Sequence, residues 1–369
     1  MTNTTEIVLN VAVSEIAMTT HLPTLLLCSH LYKTVALVDI SKDTLAHCAA
    51  KFHVPATYTD VGEMLAQSPE VDVVFIMNAN LHPDEPAQVP HALQCLKAGK
   101  HVLIEKPMSL TKEGADQIEA ARKASGKIVF VGYMRRYAHA FLRVKEMIGN
   151  LPKGSINYVR VRDIIGWNSQ WVDQCAHFPV KFSDFPAQAN EERLELNRQQ
   201  FEQAIGDKAS SPLDKKTYFV LNVLASHDVS AMRELLGMPT GVVAATRNAT
   251  GSFTHVIFQY PEFKVYLEFG VDHVMEFDAQ IEIYAADRHI TLQYDSPYIK
   301  GLPITAKVVG KRDNGDHYEE LIRPSYEDAY TLEYKALHDA IVKGEKVKTD
   351  ALDAKQDLEI FDMIMKVLV

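Results

Sequence analysis

Residues 97–132 read KAGKHVLIEKPMSLTKEGADQIEAARKASGKIVFVG. A short apolar run, His101–Glu105 (HVLIE), gives way to a turn at Pro107; Lys112–Ser125 follows with helical character up to Gly126, and Lys127–Gly132 (KIVFVG) is a second apolar run. Neither run alternates polar and apolar residues, and a nearly continuous apolar run is how a strand buried on both faces reads. Two such strands joined by a helix make a parallel βαβ unit. Upstream, Glu6–Val13 (EIVLNVAV), Lys33–Ile40 (KTVALVDI) and Val71–Met77 (VDVVFIM) are further runs of the same kind. Residues 15–31 read as a helix that Pro23 interrupts, residues 42–52 and 60–67 as helices, and residues 90–98 as a helix stopped by Gly99. Residues 1–132 are therefore expected to form an α/β, doubly wound Rossmann domain whose ligands bind at the carboxyl ends of the strands.

The remainder, residues 133–369, changes character. Stretches 155–163, 241–248, 253–260, 264–270, 279–285, 289–294 and 304–310 have strand length and β-rich composition, and Asn314-Gly315 is a hairpin signal. Around 168–217 a long polar stretch departs from this pattern, with a helical core, Ala189–Ile205, sparse in apolar positions. An excursion this long is either a lid over a site or a solvated surface loop.

The composition bounds the function. With 369 residues the chain has length for two domains, and 38 Lys plus Arg against 48 Asp plus Glu give a formal charge of −10. No cationic excess exists to release counterions from a phosphate backbone, so nucleic acid is not an expected partner. Cys28, Cys48, Cys95 and Cys175 lie far apart with no CxxC, no basic stretch opens residues 1–15, the apolar run Ile7–Val13 is broken by Asn10, and no segment approaches a membrane span. A reduced, cytoplasmic protein off the membrane is the expectation. Neither HExxH nor a Cys/His cluster points to a metal, and Asp313–Asp316 reads as a turn.

After the first strand, where a dinucleotide-binding domain carries GxGxxG or GxGxxA, the chain has Ala12-Val13-Ser14-Glu15-Ile16-Ala17. Ala17 alone fits. Ser14 either obstructs a phosphate or donates a hydroxyl to it. Asp39 ends the second strand 22 residues after Ala17, where a ribose-binding carboxylate belongs, although a carboxylate there also caps helices.

Three blocks in order, Glu105-Lys106-Pro107 after AGKHVLI, Gly132-Tyr133-Met134-Arg135-Arg136-Tyr137, and Ala225-Ser226-His227-Asp228, resemble the Gfo/Idh/MocA family of oxidoreductases. The likeness extends to Tyr294–Pro303 (YDSPYIKGLP) and the Tyr330–Val347 region. It implies a Rossmann domain followed by an α/β domain on a large, mostly antiparallel open sheet, one face of which is left for a homo-oligomer contact. It also implies NAD or NADP as cofactor, NAD being favoured by Asp39, and a sugar-like or other polyhydroxylated small molecule as substrate. Lys106 would be a catalytic residue that binds the substrate oxygen and helps move a proton. His227 would be the proton acceptor, but the family's aspartate four residues earlier is Val223 here. Ala12, Ser14, Glu15, Ile16, Asp39, Asn78, Asn80, His82, Glu105 and Arg136 are the implied cofactor contacts. Tyr133, Arg160, Arg162 and Trp167 are candidate substrate contacts; Arg160 and Arg162 share a strand face and would suit an anion or merely face water. The implied reaction is oxidation of a secondary alcohol or reduction of its ketone. The departures at Ala12, Ser14, Ala79 and Val223 leave a redox-neutral lyase, isomerase or cyclase, or a non-catalytic regulator, as alternatives on the same fold.

Overall fold

The buried apolar runs line up in one parallel sheet. A computed structural model, describing residues 6–12, 16–77, 88–175 and 177–369, gives β1 (Ile7–Ala12), β2 (Tyr32–Val38), β3 (Ala56–Tyr58), β4 (Val73–Ile76), β5 (His101–Glu105) and β6 (Val129–Gly132). They pair in the order β3-β2-β1-β4-β5-β6, every neighbour parallel. This is the doubly wound order whose strand sequence reverses between β1 and β4, the switch point at which ligands bind. Leu9, Val11, Phe75, Val102, Leu103, Ile104 and Val131 are buried in its centre, each worth about 1.5–3 kcal/mol relative to exposure. β3 went unread in the sequence because three residues carry no periodicity.

Side-chain caps open the helices between these strands. Ser41, Asp60 and Thr111 accept the N–H of the third residue beyond them at the starts of α2 (Lys42–Phe52), α3 (Val61–Gln67) and α5 (Lys112–Ser125). Gly126, at φ 66°, ends α5 in the left-handed conformation that glycine takes without penalty. α4 is Gln88–Lys97. Pro23 does not interrupt a helix as expected. A π-type turn, Ala17–His21, runs directly into α1 (Leu22–Leu27), and Pro23 stands in the first turn of α1. The first turn is where a missing N–H costs least.

The chain forms two compact units. The first contains residues 1–133, and residues 172–209 and 333–358 join it. The expected continuous second domain, 133–369, is thus interrupted twice: residues 172–209 attach to α2 and α5 through surface contacts such as Asp184 with Ser41 and Gln203 with Glu113, and 333–358 pack against the parallel sheet. Most of the polar stretch belongs here too, with α8 (Ala187–Ile205) along it; α7 (Ser169–Val172), at its start, lies in the second unit except for Val172. α8 buries no side chain and is laced by pairs such as Arg198 with Glu195 and Glu202. Tyr334, from α11 (Ala329–Lys343), packs edge-on against Phe75 with ring centroids 5.3 Å apart and accepts the Tyr32 hydroxyl on its carbonyl at 2.7 Å.

The second unit holds α6 (His139–Gly149), β7 (Ile156–Gly166), α9 (Pro212–Val220), α10 (Ser226–Leu236), and the strands β8 (Gly241–Arg247), β9 (Phe253–Gln259), β10 (Lys264–Asp272), β11 (Phe277–Ala285), β12 (Arg288–Tyr294), β13 (Thr305–Lys311) and β14 (His317–Ile322). They form one sheet, β14-β13-β12-β11-β7-β10-β9-β8, in which β7 and β10 run parallel and the other neighbours antiparallel. The Asn314-Gly315 hairpin joins β13 to β14, with Gly315 at φ 94°. The tail of α12 (Ala351–Val367) returns to this unit, where Leu368 bridges Ala245. Among the described residues no helix is long and apolar enough to cross a membrane.

Candidate active site

The carboxyl ends of the parallel strands gather the first unit's candidate residues. Ala12 closes β1, and Ile16 opens the helical segment whose next residue, Ala17, is fully buried. Ser14, Glu15, Asn78, Asn80 and His82 lie outside the described residues. Asp39 follows β2, is 8% exposed, and accepts the Ser41 N–H on Oδ1 at 2.7 Å. Both readings of Asp39 are therefore compatible with its place: it organises the turn into α2 and stands where a ribose carboxylate belongs. A dinucleotide fits these described positions, with a small buried residue at the third place of the turn and a fixed carboxylate ending β2.

Lys106 follows β5 and is half-buried, and its peptide bond to Pro107 is cis. Its N–H donates to Glu105 Oε2 at 3.1 Å. Glu105 itself is buried and turned inward, with Oε1 3.0 Å from His21 Nε2. A Cβ at Gly132 would lie 2.8 Å from that Oε1, so the glycine at the end of β6 leaves room for the carboxylate in this position. Glu105 thus works inside the protein, joining the strand end that bears Lys106 to the helical turn that bears His21. His21 Nδ1 in turn meets the Tyr334 hydroxyl. Glu333 lies in the same region, wholly buried, and its carboxyl oxygens make no hydrogen bond among the described residues. Burial first, and then the charge of Glu105, push the Glu333 carboxyl well above the usual carboxylate range, which favours its protonated form.

In the second unit the surprise is Arg135. Its Nη1 donates to Asp163 Oδ2 at 3.0 Å and to Asp228 Oδ1 and Oδ2 at 2.8 and 2.9 Å, and its guanidinium lies 4.6 Å from the Tyr294 ring centre. Burial works against the charge on Arg135, but Asp163 and Asp228 outweigh it and hold its pKa up. Burial raises the Asp228 carboxyl well above its usual range, and Arg135 only partly opposes this. Two carboxylates share one guanidinium, and burial favours the protonated form of Asp228 there.

His227 is half-buried in the first turn of α10. The helix that carries His227 is preceded directly by a π-type turn, Leu221–Ala225. A spacing of four residues does not keep its α-helical face across such a turn, so the comparison of Val223 with a one-turn-earlier carboxylate needs that correction. Asn222, five residues before His227, donates Nδ2 to the Tyr218 carbonyl and accepts the Ser226 hydroxyl on its own carbonyl, serving the π turn.

The remaining candidates are engaged in packing. Arg136 is 2% exposed and ion-paired with Glu234, and Tyr133 is buried. Trp167 is about half-exposed and donates Nε1 to His273 at 3.1 Å. Arg160 and Arg162 do share a face, but there Glu268, Glu282 and Asp278 pair with them. Carboxylates outnumber guanidiniums on that ladder, which removes the anion-site reading.

Residues 13–133 match the Gfo/Idh/MocA family model, described as an oxidoreductase family with an NAD-binding Rossmann fold. Among curated proteins, the chain is similar to the 1-carboxy-3-chloro-3,4-dihydroxycyclohexa-1,5-diene dehydrogenase of Comamonas testosteroni, at 33% identity over 138 residues, 37% of this chain and 33% of that protein. It is also similar to the myo-inositol 2-dehydrogenase of Thermotoga maritima, at 31% identity over 127 residues, 34% of this chain and 36% of that one. These matches span about a third of the relatives' length. A levoglucosan dehydrogenase solved with NADH and levoglucosan shares the fold across both units, with a TM-score of 0.71 at 16% identity, covering 98% of this chain and 97% of that one.

Proposed function

We propose that the protein is a cytoplasmic, NAD-linked oxidoreductase that interconverts a secondary alcohol and its ketone on a polyhydroxylated small molecule. What supports this most is that Asp39 and Lys106 end β2 and β5, on either side of the switch point of a family Rossmann sheet. Named relatives acting on inositol and on a dihydrodiol support the substrate class. A bound NAD would supply the hydride acceptor, or in reverse the donor, for the carbinol carbon. Asp39 binds the adenosine ribose hydroxyls, which is why NAD is preferred. Lys106 donates to the substrate oxygen and stabilises the negative charge that develops there, held in orientation through its N–H on Glu105. His227 takes the hydroxyl proton in oxidation and returns it in reduction. The outward face of the eight-stranded sheet, with Tyr158, Tyr266 and Tyr284 beside the arginine ladder and its carboxylates, is the surface that a second copy of this chain would cover.

Calorimetric titration with NADH and NADPH tests the reading. Micromolar NADH binding that Asp39→Ala weakens is expected, followed by NAD reduction with inositols or sugars. If neither dinucleotide binds at millimolar concentration, the oxidoreductase reading fails and a redox-neutral enzyme takes its place.

A further inference from the structure

The polar stretch that interrupts the second unit is fastened to one helix of the first. Lys51, on α2, donates to the His177 carbonyl, and the His47 and Phe182 rings meet with centroids 5.7 Å apart. Two residues beyond Phe182, Asp184 reaches the N-terminus of the same helix. The Ser41 hydroxyl donates to Asp184 Oδ1, and the Asp43 N–H donates to Oδ2 at 3.1 Å. The third N–H of that first turn, on Thr44, is taken by Ser41 Oγ at 2.9 Å. Ser41 is also the residue whose N–H anchors Asp39. The Ser41 hydroxyl, backed by the Asp43 and Lys42 N–H groups, holds the Asp184 carboxyl below its usual range, so it is anionic at neutral pH.

A helix N-terminus directly after β2 attracts an anion, because its first N–H groups have no partner within the helix and carry the positive end of the dipole. In a Rossmann domain this turn adjoins the adenosine ribose, and it is where a 2′-phosphate would be received. From its residues alone the turn would accept one: Ser41 offers a hydroxyl and Lys42 an exposed ammonium. In this chain an anion from the protein already uses those donors.

Resting on the dinucleotide reading above, we propose that Asp184 fills the helix-α2 N-terminus as a fixed carboxylate and thereby excludes the 2′-phosphate of NADP. Cofactor choice is then decided by two carboxylates. Asp39 recognises the free ribose hydroxyls, and Asp184 withholds the hydroxyl and N–H donors that a 2′-phosphate needs while adding a like charge beside it. The polar stretch, by this account, carries a specificity residue for the cofactor.

The test is binding, read by calorimetry for NADH, NADPH, ADP-ribose and 2′-phospho-ADP-ribose, with wild type, Asp184→Asn and Asp184→Ala. Wild type should favour NADH over NADPH, and ADP-ribose over its 2′-phosphate, by on the order of tenfold or more. Both variants should narrow those ratios by about tenfold through tighter binding of the phosphorylated ligands, with NADH affinity held within about twofold. Equal wild-type affinity for the two dinucleotides, or ratios unchanged in both variants while NADH still binds, overturns the role of Asp184 and leaves the oxidoreductase reading standing. Absence of all binding overturns the dinucleotide reading, and this inference falls with it.

Discussion

Glu333→Gln should make the protein more stable, by an amount that grows with pH. Glu333 is wholly buried beside Glu105, and burial followed by that neighbouring charge raises its carboxyl well above the ordinary value of 4.5. A carboxyl whose folded pKa is raised binds its proton more tightly when folded than when unfolded. Its contribution is fully present below the unfolded value and is lost as pH rises toward the folded one. Within that window the loss is about 1.4 kcal/mol per pH unit, or about 3 kcal/mol over two units. Glutamine keeps the shape and cannot ionise, so the variant should lack this slope. Glu105→Gln, which removes only the neighbouring charge and leaves Glu333 buried, should reduce that slope in part. Urea unfolding of wild type and Glu333→Gln from about pH 5 to about pH 8 measures the difference directly. Parallel stability–pH curves would show that Glu333 ionises as freely folded as unfolded, and the buried-pair account would be wrong.

Lys106→Met should leave NADH affinity and thermal midpoint nearly unchanged and reduce kcat by about 100-fold or more; unaltered turnover removes the lysine from the reaction. Arg135→Met strands Asp163 and Asp228 without their cation, and should cost about 3–5 kcal/mol in chemical denaturation. Asp228→Asn, which removes the excess carboxyl, should stay within about 2 kcal/mol of wild type and lose part of the stability decline seen as pH rises above the ordinary aspartate range. An Asp228→Asn protein as damaged as Arg135→Met would mean that both carboxylates are ionised in the fold. Asp39→Ala should weaken NADH binding by about tenfold in calorimetry, and full affinity would leave Asp39 as a helix-capping residue alone.

The parallel sheet was legible because its strands are continuous apolar runs, which survive without knowledge of their neighbours. The antiparallel sheet was legible from strand length and β-rich residues, but its pairing came from the family likeness. What the residues do at the site was harder to read. Asp163 was visible as an anomaly: with Val159, Val161 and Ile165 it occupies the inward face of β7, and a charge on that face demands a buried partner. Glu333 gave a similar signal between Tyr330 and Leu337 on the apolar side of α11. The partners themselves, Arg135 and Glu105, lie far away in sequence, and no local pattern names them. Asp184 had no signal, since an exposed aspartate in a polar stretch looks like any other until the chain brings it to α2. The turn at Pro23 and the π turn before His227 depend on backbone geometry that 3.6-residue periodicity does not register.

The return of residues 333–358 to the first unit bears on how the protein is made. Val131, in β6, donates its N–H to the Thr349 carbonyl at 2.8 Å, and Tyr334 covers Tyr32 and Phe75. A ribosome emitting about 5–20 residues per second therefore completes the first unit roughly ten to fifty seconds after its last parallel strand has emerged. During that interval the aromatic side of the Rossmann sheet lacks its lid, making nascent chains natural clients for a chaperone. A gene truncated after the sixth strand would leave that exposure permanent, so the N-terminal segment is not a module that evolution or an engineer could transplant alone.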